Sequence, residues 1–504
     1  MATSVTYSSA EIGIEAPLVS VEATIGGGLP RVSIVGLPQT AVKESKDRVK
    51  AAIASLGIAF PRSIVTVNLA PADLPKSGGR YDLAIAMAIL AAMDKRYLKA
   101  VQQYEFLGEL SLTGSLRRVR GTLPAALRNK RQKHRQLVVP TANGAEVALA
   151  QSDTILTADS LAAVLAHLNG QEPLPPAPRP ATDTVPETFL PLSDVKGQSH
   201  AKRALVVAAT GGHNVILVGP PGTGKTMLAS RLPGLIPSMS IDEALEHASI
   251  ASVSAQPFDF NNWRLRPYRT PHHTASGVAL VGGGSPPKPG EISLAHGGVL
   301  FLDELPEFSR QVLEVLREPL ESGEIWISRA NSQAKYPANF QLVAAMNPCP
   351  CGYYGDDRHE CECSPDRIQR YRNRVSGPLM DRIDLHVEVP ALPPGELSKP
   401  PPAEDTDLPM RQLVADTRKR MLARQGCLNS DLGSKKLHKV CQLSSEDSHR
   451  LDRAVAKLGI SPRGYFRILR VARTIADLSE CEWIGSSHLN EALSFRRLDR
   501  RDSF

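Results

Sequence analysis

Apolar and polar positions follow three rhythms along this chain, and it divides where the rhythm changes. Over residues 1–168 short stretches alternate with longer ones. Ile64-Val-Thr-Val-Asn68 and Gln136-Leu-Val-Val139 have the length and β-branched content of strands, whereas Ala41 to Leu56 and Asp82 to Met93 have helical length. Leu83 to Met93 is apolar on every side. It is too short for a bilayer and sits between Asp82 and Asp94, which predicts a helix buried in protein. From residue 187 the pattern becomes short runs without alternation: Val215-Ile-Leu-Val218, Val299-Leu-Phe-Leu302 and Phe340 to Met346. These are the strands of a covered sheet. Beyond residue 410 the period is helical, over Ser444 to Leu458, Arg463 to Leu478 and Ser487 to Leu498. Gly459 closes the first of these helices and Ser461-Pro462 opens the second as N-cap and first helical residue.

Proline separates the three regions. Gln171 to Pro180 and Leu392 to Pro409 are proline-rich and read as semi-rigid extended linkers. The expected organisation is a mixed α/β domain at 1–168, a linker at 169–186, a nucleotide-binding α/β core at 187–391, a linker at 392–409, and a helical domain at 410–504. A length of 504 residues is too great for one core.

Chemistry enters at Gly219-Pro220-Pro221-Gly222-Thr223-Gly224-Lys225-Thr226. This stretch fits G-x-x-x-x-G-K-[ST] at every fixed position, with a strand before it and a helix after it. Its glycines let backbone N–H groups curl around phosphates, Lys225 suits the β- and γ-phosphates, and Thr226 suits a magnesium ion. The apolar strand through Leu302 ends in Asp303-Glu304. The first carboxylate suits magnesium and the second suits polarising an attacking water. ATP and Mg²⁺ are therefore the expected cofactors and ATP hydrolysis the expected reaction. Asn347, ending the strand Phe340–Met346, suits orientation of the water beside Glu304. A nucleotide-binding α/β core followed by a small helical domain resembles the AAA+ layout, and that resemblance makes Arg382, ahead of the alternating strand around Asp384-Leu-His-Val, the candidate for reaching a neighbouring subunit's site. Arg463 is the candidate for touching the γ-phosphate from the helical domain, with Arg467 one turn later as its competitor.

Composition narrows the partners. With 42% hydrophobic and 22% charged residues the chain is ordinary globular protein, and no basic segment followed by an apolar core begins it, so the expected location is the cytoplasm, away from any membrane. The net charge is +7, and residues 410–504 hold 19 Lys and Arg against 11 Asp and Glu. A second basic block runs from Arg117 to Arg135, with no acid between Glu109 and Glu146. Both favour a polyanion. Four of the seven cysteines, Cys349, Cys351, Cys361 and Cys363, form C-x-C-x9-C-x-C in a turn-rich loop. Four thiolates so close suit a tetrahedral zinc ion better than disulfides in a cytosolic protein; His359 is an alternative ligand, and a free-thiol loop is the competing reading.

The runs Arg269-Thr-Pro-His-His-Thr-Ala-Ser-Gly277, Asn347-Pro-Cys-Pro-Cys-Gly352 and Leu379-Met-Asp-Arg-Ile-Asp-Leu-His386 carry a resemblance over essentially the whole chain. The sequence resembles the magnesium-chelatase-like AAA+ ATPases, and among them the ComM/YifB family. The resemblance implies an AAA+ core with a helical lid and an N-terminal domain of the Lon-protease type (ribosomal S5 domain 2-like). It also implies a homo-hexameric ring acting on single-stranded or branched DNA as a helicase or branch-migration motor, alongside recombination proteins in natural transformation. In related helicases a β-hairpin ahead of the sensor strand lines the pore; the matching segment here is Ile325 to Pro337, with Arg329 and Lys335 as candidate DNA contacts. No serine stands in register with the Lon nucleophile, Ser77 lying too early, so proteolysis is not expected. A chelatase-like motor remodelling a protein partner is the alternative function.

Overall fold

The computed structural model describes residues 2–179, 190–254, 256–329, 332–393, 395–396 and 407–496. Residues 180–186 of the first linker, 394 and 397–406 of the second and the C-terminal 497–504 lie outside the described residues. So does the hairpin tip at 330–331.

The N-terminal region folds around a seven-stranded sheet of β1 (Ala2–Ser9), β2 (Leu18–Gly26), β3 (Arg31–Val35), β4 (Ile64–Ala70), β5 (Tyr104–Phe106), β6 (Gln136–Pro140) and β7 (Ile155–Ala158), in the order β3-β4-β2-β1-β5-β6-β7. Its β1-β2 and β2-β4 pairs are antiparallel and the others parallel. Alternate residues of β2, Val19, Val21 and Ala23, point into the core, where the apolar helix Asp82–Met93 lies buried along almost its full length. The helical length of Ala41–Leu56 is realised as two pieces, Thr40–Lys43 and Ser45–Ser55, broken at Glu44. That break aims Ser45 and Arg48 at the buried Asp82 carboxylate, with Arg48 Nε at 2.6 Å.

The central region is built on β8 (Val215–Val218), β9 (Tyr268–Arg269), β10 (Val299–Leu302), β11 (Glu324–Arg329), β12 (Ser332–Pro337), β13 (Gln341–Met346) and β14 (Leu385–Glu388). Five of these make one parallel sheet in the order β9-β10-β13-β8-β14, and β11 with β12 form a separate antiparallel hairpin. Every residue of β8, β10 and β13 is buried, which explains why these runs show no alternation. The chain leaves β8 toward one side of the sheet and returns through β14 on the other. A crevice therefore opens at the C-terminal end of β8, the usual ligand position in such sheets.

The C-terminal helices pack on this sheet through Ile468, Leu469, Val471, Ala472, Ile475 and Ala476, all on the helix Pro462–Leu478 and all buried in the core cluster that includes Val215 and Leu217. Ser461 caps that helix by accepting from Gly464 N, and Gly459 ends the preceding helix in the left-handed conformation. The tail starts earlier than residue 410: the helix Asp407–Gln425 already contains Pro409 in its first turn, where a missing N–H costs nothing. Its first residue, Asp407, is buried and accepts from the backbone of Leu192 and Ser193. Among the described residues no helix is long and apolar enough to cross a membrane.

Candidate nucleotide site

The segment Gly219–Thr226 turns between β8 and the helix Lys225–Ala229. Gly222 and Gly224 have φ of +75° and +90°, backbone that only glycine adopts without strain, and a Cβ on Gly219 would stand 2.1 Å from the Val389 carbonyl oxygen. Lys225 Nζ donates to the carbonyls of Gly219 (2.7 Å) and Pro220 (2.8 Å) and to Asn347 Oδ1 (3.0 Å). Thr223 Oγ1 donates to Pro220 O at 2.9 Å, and Gln198 Nε2 donates to Thr223 O and Pro390 O, fixing the loop from outside. Burial pushes the Lys225 ammonium down to about 8, only partly offset by Asp303 and Glu304.

Thr226 Oγ1 donates to Asp303 Oδ2 at 2.7 Å. A hydroxyl and a carboxylate side by side at the mouth of a phosphate loop are hard oxygen donors of the kind magnesium takes, so these residues fit that ion. Glu304 follows in the left-handed region at φ +52°, with its N–H bonded to Asp303 Oδ1 at 2.9 Å. Its carboxylate lies 3.2 Å from His273 Nδ1. His273 belongs to the Arg269–Gly277 run but had no role in the sequence reading; only the fold brings the loop after β9 beside the end of β10. Lys225, Thr226, Asp303, Glu304 and Asn347 thus converge on one crevice.

The three arginines do not join it. Asp384 N bonds to Asn214 O, just before β8, whereas the phosphate loop starts just after β8, so a strand length of about 13 Å separates them. At that far end Arg467 Nη1 meets Asp384 Oδ1 at 2.5 Å. Burial alone would raise the Asp384 carboxyl; Arg467, with His213 Nδ1 at 3.8 Å, holds it well below the usual carboxylate range. Arg382 is buried, donating to Glu321 and to Pro378 O (2.6 Å), while Arg463 stands 67% exposed with its guanidinium 3.9 Å from Glu321. The sequence left Glu321 unassigned, yet it connects the two. Arg467, Asp384 and Glu321 line the cavity of about 570 Å³ between the sheet and the helical tail, which also holds Arg266, Arg418 and Arg470.

The hairpin β11-β12 buries Ile325, Ile327, Ala334 and Tyr336 on one face, and exposes Trp326, Gln333 and Lys335 on the other. Lys335 is not at the tip: it pairs with Glu324 at 2.7 Å and lies over the Trp326 ring. Arg329 is exposed, next to the tip and beside Gly283. Much of the basic block 117–135 is engaged within its own domain: Arg128 with Glu105, Lys130 with Ala150 O, Arg118 with Glu146, and Arg135 over the Tyr7 ring. The Sγ atoms of Cys349, Cys351, Cys361 and Cys363 all lie within 4.8 Å of one another; His359 instead faces Asp356 at 3.1 Å.

A parallel sheet with a phosphate loop at its crossover and a Thr–Asp pair beside it defines a P-loop protein suited to a nucleoside triphosphate with magnesium. The family descriptions that match agree: "Magnesium chelatase, subunit ChlI" over residues 191–397, "Subunit ChlI of Mg-chelatase" over 21–143, and its C-terminal region over 405–496. The competence protein ComM of Haemophilus influenzae is 49% identical over 99% of this chain and 98% of its own. The uncharacterized protein YifB of Escherichia coli is 48% identical with the same coverage. The magnesium-chelatase 38 kDa subunit of Cereibacter sphaeroides is 26% identical over 62% of this chain and 92% of its own. The chain belongs to the ComM/YifB family of magnesium-chelatase-like AAA+ proteins.

Proposed function

We propose that the chain is one subunit of a homo-hexameric ATPase in which ATP, bound with Mg²⁺ at Gly219–Thr226, is hydrolysed at the seam between neighbours to move DNA. Lys225 grips the β- and γ-phosphates, and Thr226 and Asp303 hold the ion. Glu304 polarises the attacking water while Asn347, already bonded to Lys225, orients it. The observation that carries this reading is the separation along the sheet. The arginines lie at the end opposite the chain's own phosphate loop, so only another copy can offer them a γ-phosphate. A head-to-tail contact of that kind repeats into a ring. In the free chain Glu321 neutralises Arg382, and a neighbour's triphosphate would compete for that guanidinium.

DNA is favoured as the polymer by the basic surplus and by the relative named a competence protein. The exposed face of the β11-β12 hairpin adds an aromatic ring for base stacking at Trp326 with Lys335 beside it for phosphates, and Arg329, near the tip and turned toward Gly283, is a further candidate. Recombination of incoming single strands is the process this suits. A zinc ion held by the four cysteines belongs to the same reading, as does a cytoplasmic location. The Lon-type fold of residues 1–168 stays part of the proposal, and the engaged basic block argues for a collar there more than for a second DNA surface.

Single-stranded DNA is expected to stimulate ATP turnover at low salt, with the stimulation fading as salt rises through counterion release. Trp326→Ala should weaken oligonucleotide binding about tenfold, the worth of one stacked base. An ATPase rate indifferent to DNA at every salt concentration would favour the alternative client, a protein partner remodelled as in the chelatases. A separate expectation concerns pH. Phosphate binding favours charged Lys225, whose ammonium otherwise loses its proton at about pH 8. ATP binding should therefore take up a proton above that pH, and affinity should fall as pH rises further. Calorimetry in two buffers of different ionisation heat reads this directly; equal apparent heats at pH 8.5 would contradict it.

A further inference from the structure

The cysteine loop does not hang free of the nucleotide site. Cys349 is buried two residues after Asn347, whose side chain accepts from Lys225. Gly352 then passes so close to the phosphate loop that a Cβ there would stand 2.7 Å from Pro221 Cδ, at a φ of +92° that already requires glycine. From the helix Pro365–Arg372, Arg372 donates through Nε and Nη2 to Pro348 O at 3.1 and 3.0 Å. Arg358 donates to Leu392 O on the other side. The segment between Asn347 and Ser364 thus forms one wall of the phosphate loop, yet only three of its residues after Asn347 are buried: Pro348, Cys349 and Gly352. Too little apolar surface is present to fix such a wall by packing.

Sulfur geometry supplies what the core lacks. Cys349 and Cys351 Sγ are 3.3 Å apart, Cys349 and Cys361 3.7 Å, and Cys351 and Cys361 3.6 Å. These are far beyond the ~2.0 Å of a disulfide. They fall near the ~3.8 Å between ligands that a tetrahedron with Zn–S bonds of ~2.3 Å imposes. Two C-x-C pairs facing each other give four soft donors on a loop that has no other means of closing.

We propose that a zinc ion held by Cys349, Cys351, Cys361 and Cys363 clamps this wall against Pro221 and Asn347, so that metal occupancy sets the geometry of the nucleotide pocket. The inference rests on the nucleotide-site reading for its second half only. Its first half stands on the thiols alone.

The test uses the full chain purified without a polyhistidine tag. Elemental analysis should find about one zinc per chain, released when a mercurial titrates four thiols; cobalt substitution should give the charge-transfer and d–d bands of a tetrahedral tetrathiolate. Protein that is metal-free as isolated and takes up no cobalt overturns the site. Removing zinc with a chelator under reducing conditions should lower ATP turnover about 10- to 100-fold and readdition should restore it, since misplacing reacting groups by an ångström has that scale of effect. Because a Cys361→Ser chain can fail to fold, Gly352→Ala is the second variant: it should keep its zinc and lose nucleotide affinity. Zinc present but removable with nucleotide binding and turnover unchanged, or Gly352→Ala with wild-type affinity, overturns the coupling. Zinc present in a protein that never binds ATP leaves the metal site standing and removes the ATPase reading instead.

Discussion

Glu304→Gln is expected to bind ATP with near-wild-type affinity while turnover falls about 10²- to 10³-fold, the usual worth of a group that stabilises charge only in the transition state. The amide matches the carboxylate in shape, so the pairing with His273 and the backbone bond from Glu304 N to Asp303 remain available. What disappears is the negative charge that draws a proton from water. The left-handed backbone at Glu304 supports this assignment, because a non-glycine residue held there costs of order 1–3 kcal/mol and persists where its surroundings require it. A fluorescent ATP analogue gives affinity and phosphate release gives turnover; hydrolysis at the wild-type rate would remove Glu304 from the reaction.

Arg382→Ala is expected to cost about 10³-fold in turnover with ATP binding retained, as for arginines that stabilise a transferring phosphoryl group in trans. The side chain also has a job inside its own subunit, where it is buried against Glu321 and Pro378 O and burial depresses its guanidinium below the usual arginine value. Removing it leaves Glu321 with Arg463 as its remaining partner, and Glu321 is about half exposed, so the penalty to folding should be modest. Thermal unfolding separates the two effects: a melting temperature within a few degrees of wild type beside a thousandfold slower turnover identifies a role in the reaction. Full activity in the variant would return Arg382 to a structural ion pair, and Arg463, the exposed arginine beside it, would then be the one to replace.

The sequence made the phosphate loop and its acidic partner strand legible because both are local: residue types at fixed spacing on a strand–turn–helix unit need no other part of the chain. The covered strands were equally plain, since β8 and β10 are apolar at every position and β13 at all but its first, Gln341. The break at Glu44 and the early start of the tail at Asp407 escaped because each answers to a distant partner, Asp82 for the first and the backbone of Leu192 and Ser193 for the second. Distance also hid His273, Glu321 and Trp326, whose meaning comes from what the fold sets beside them. It hid the location of the arginines too, for nothing in the spacing of Arg382, Arg463 and Arg467 says that all three stand at the far end of the sheet from Lys225.

That geometry sets the decisive measurement, made on mixtures of two dead variants with oligonucleotide and ATP present. Lys225→Ala subunits bind no nucleotide but carry intact arginines; Arg382→Ala subunits bind ATP but cannot complete a neighbour's site. If the reaction occurs at the seam between copies, mixing should restore ATP turnover and DNA-stimulated activity, with a maximum at intermediate ratios. Turnover that stays at the level of the separate variants at every ratio, in samples shown to co-assemble, would contradict shared sites.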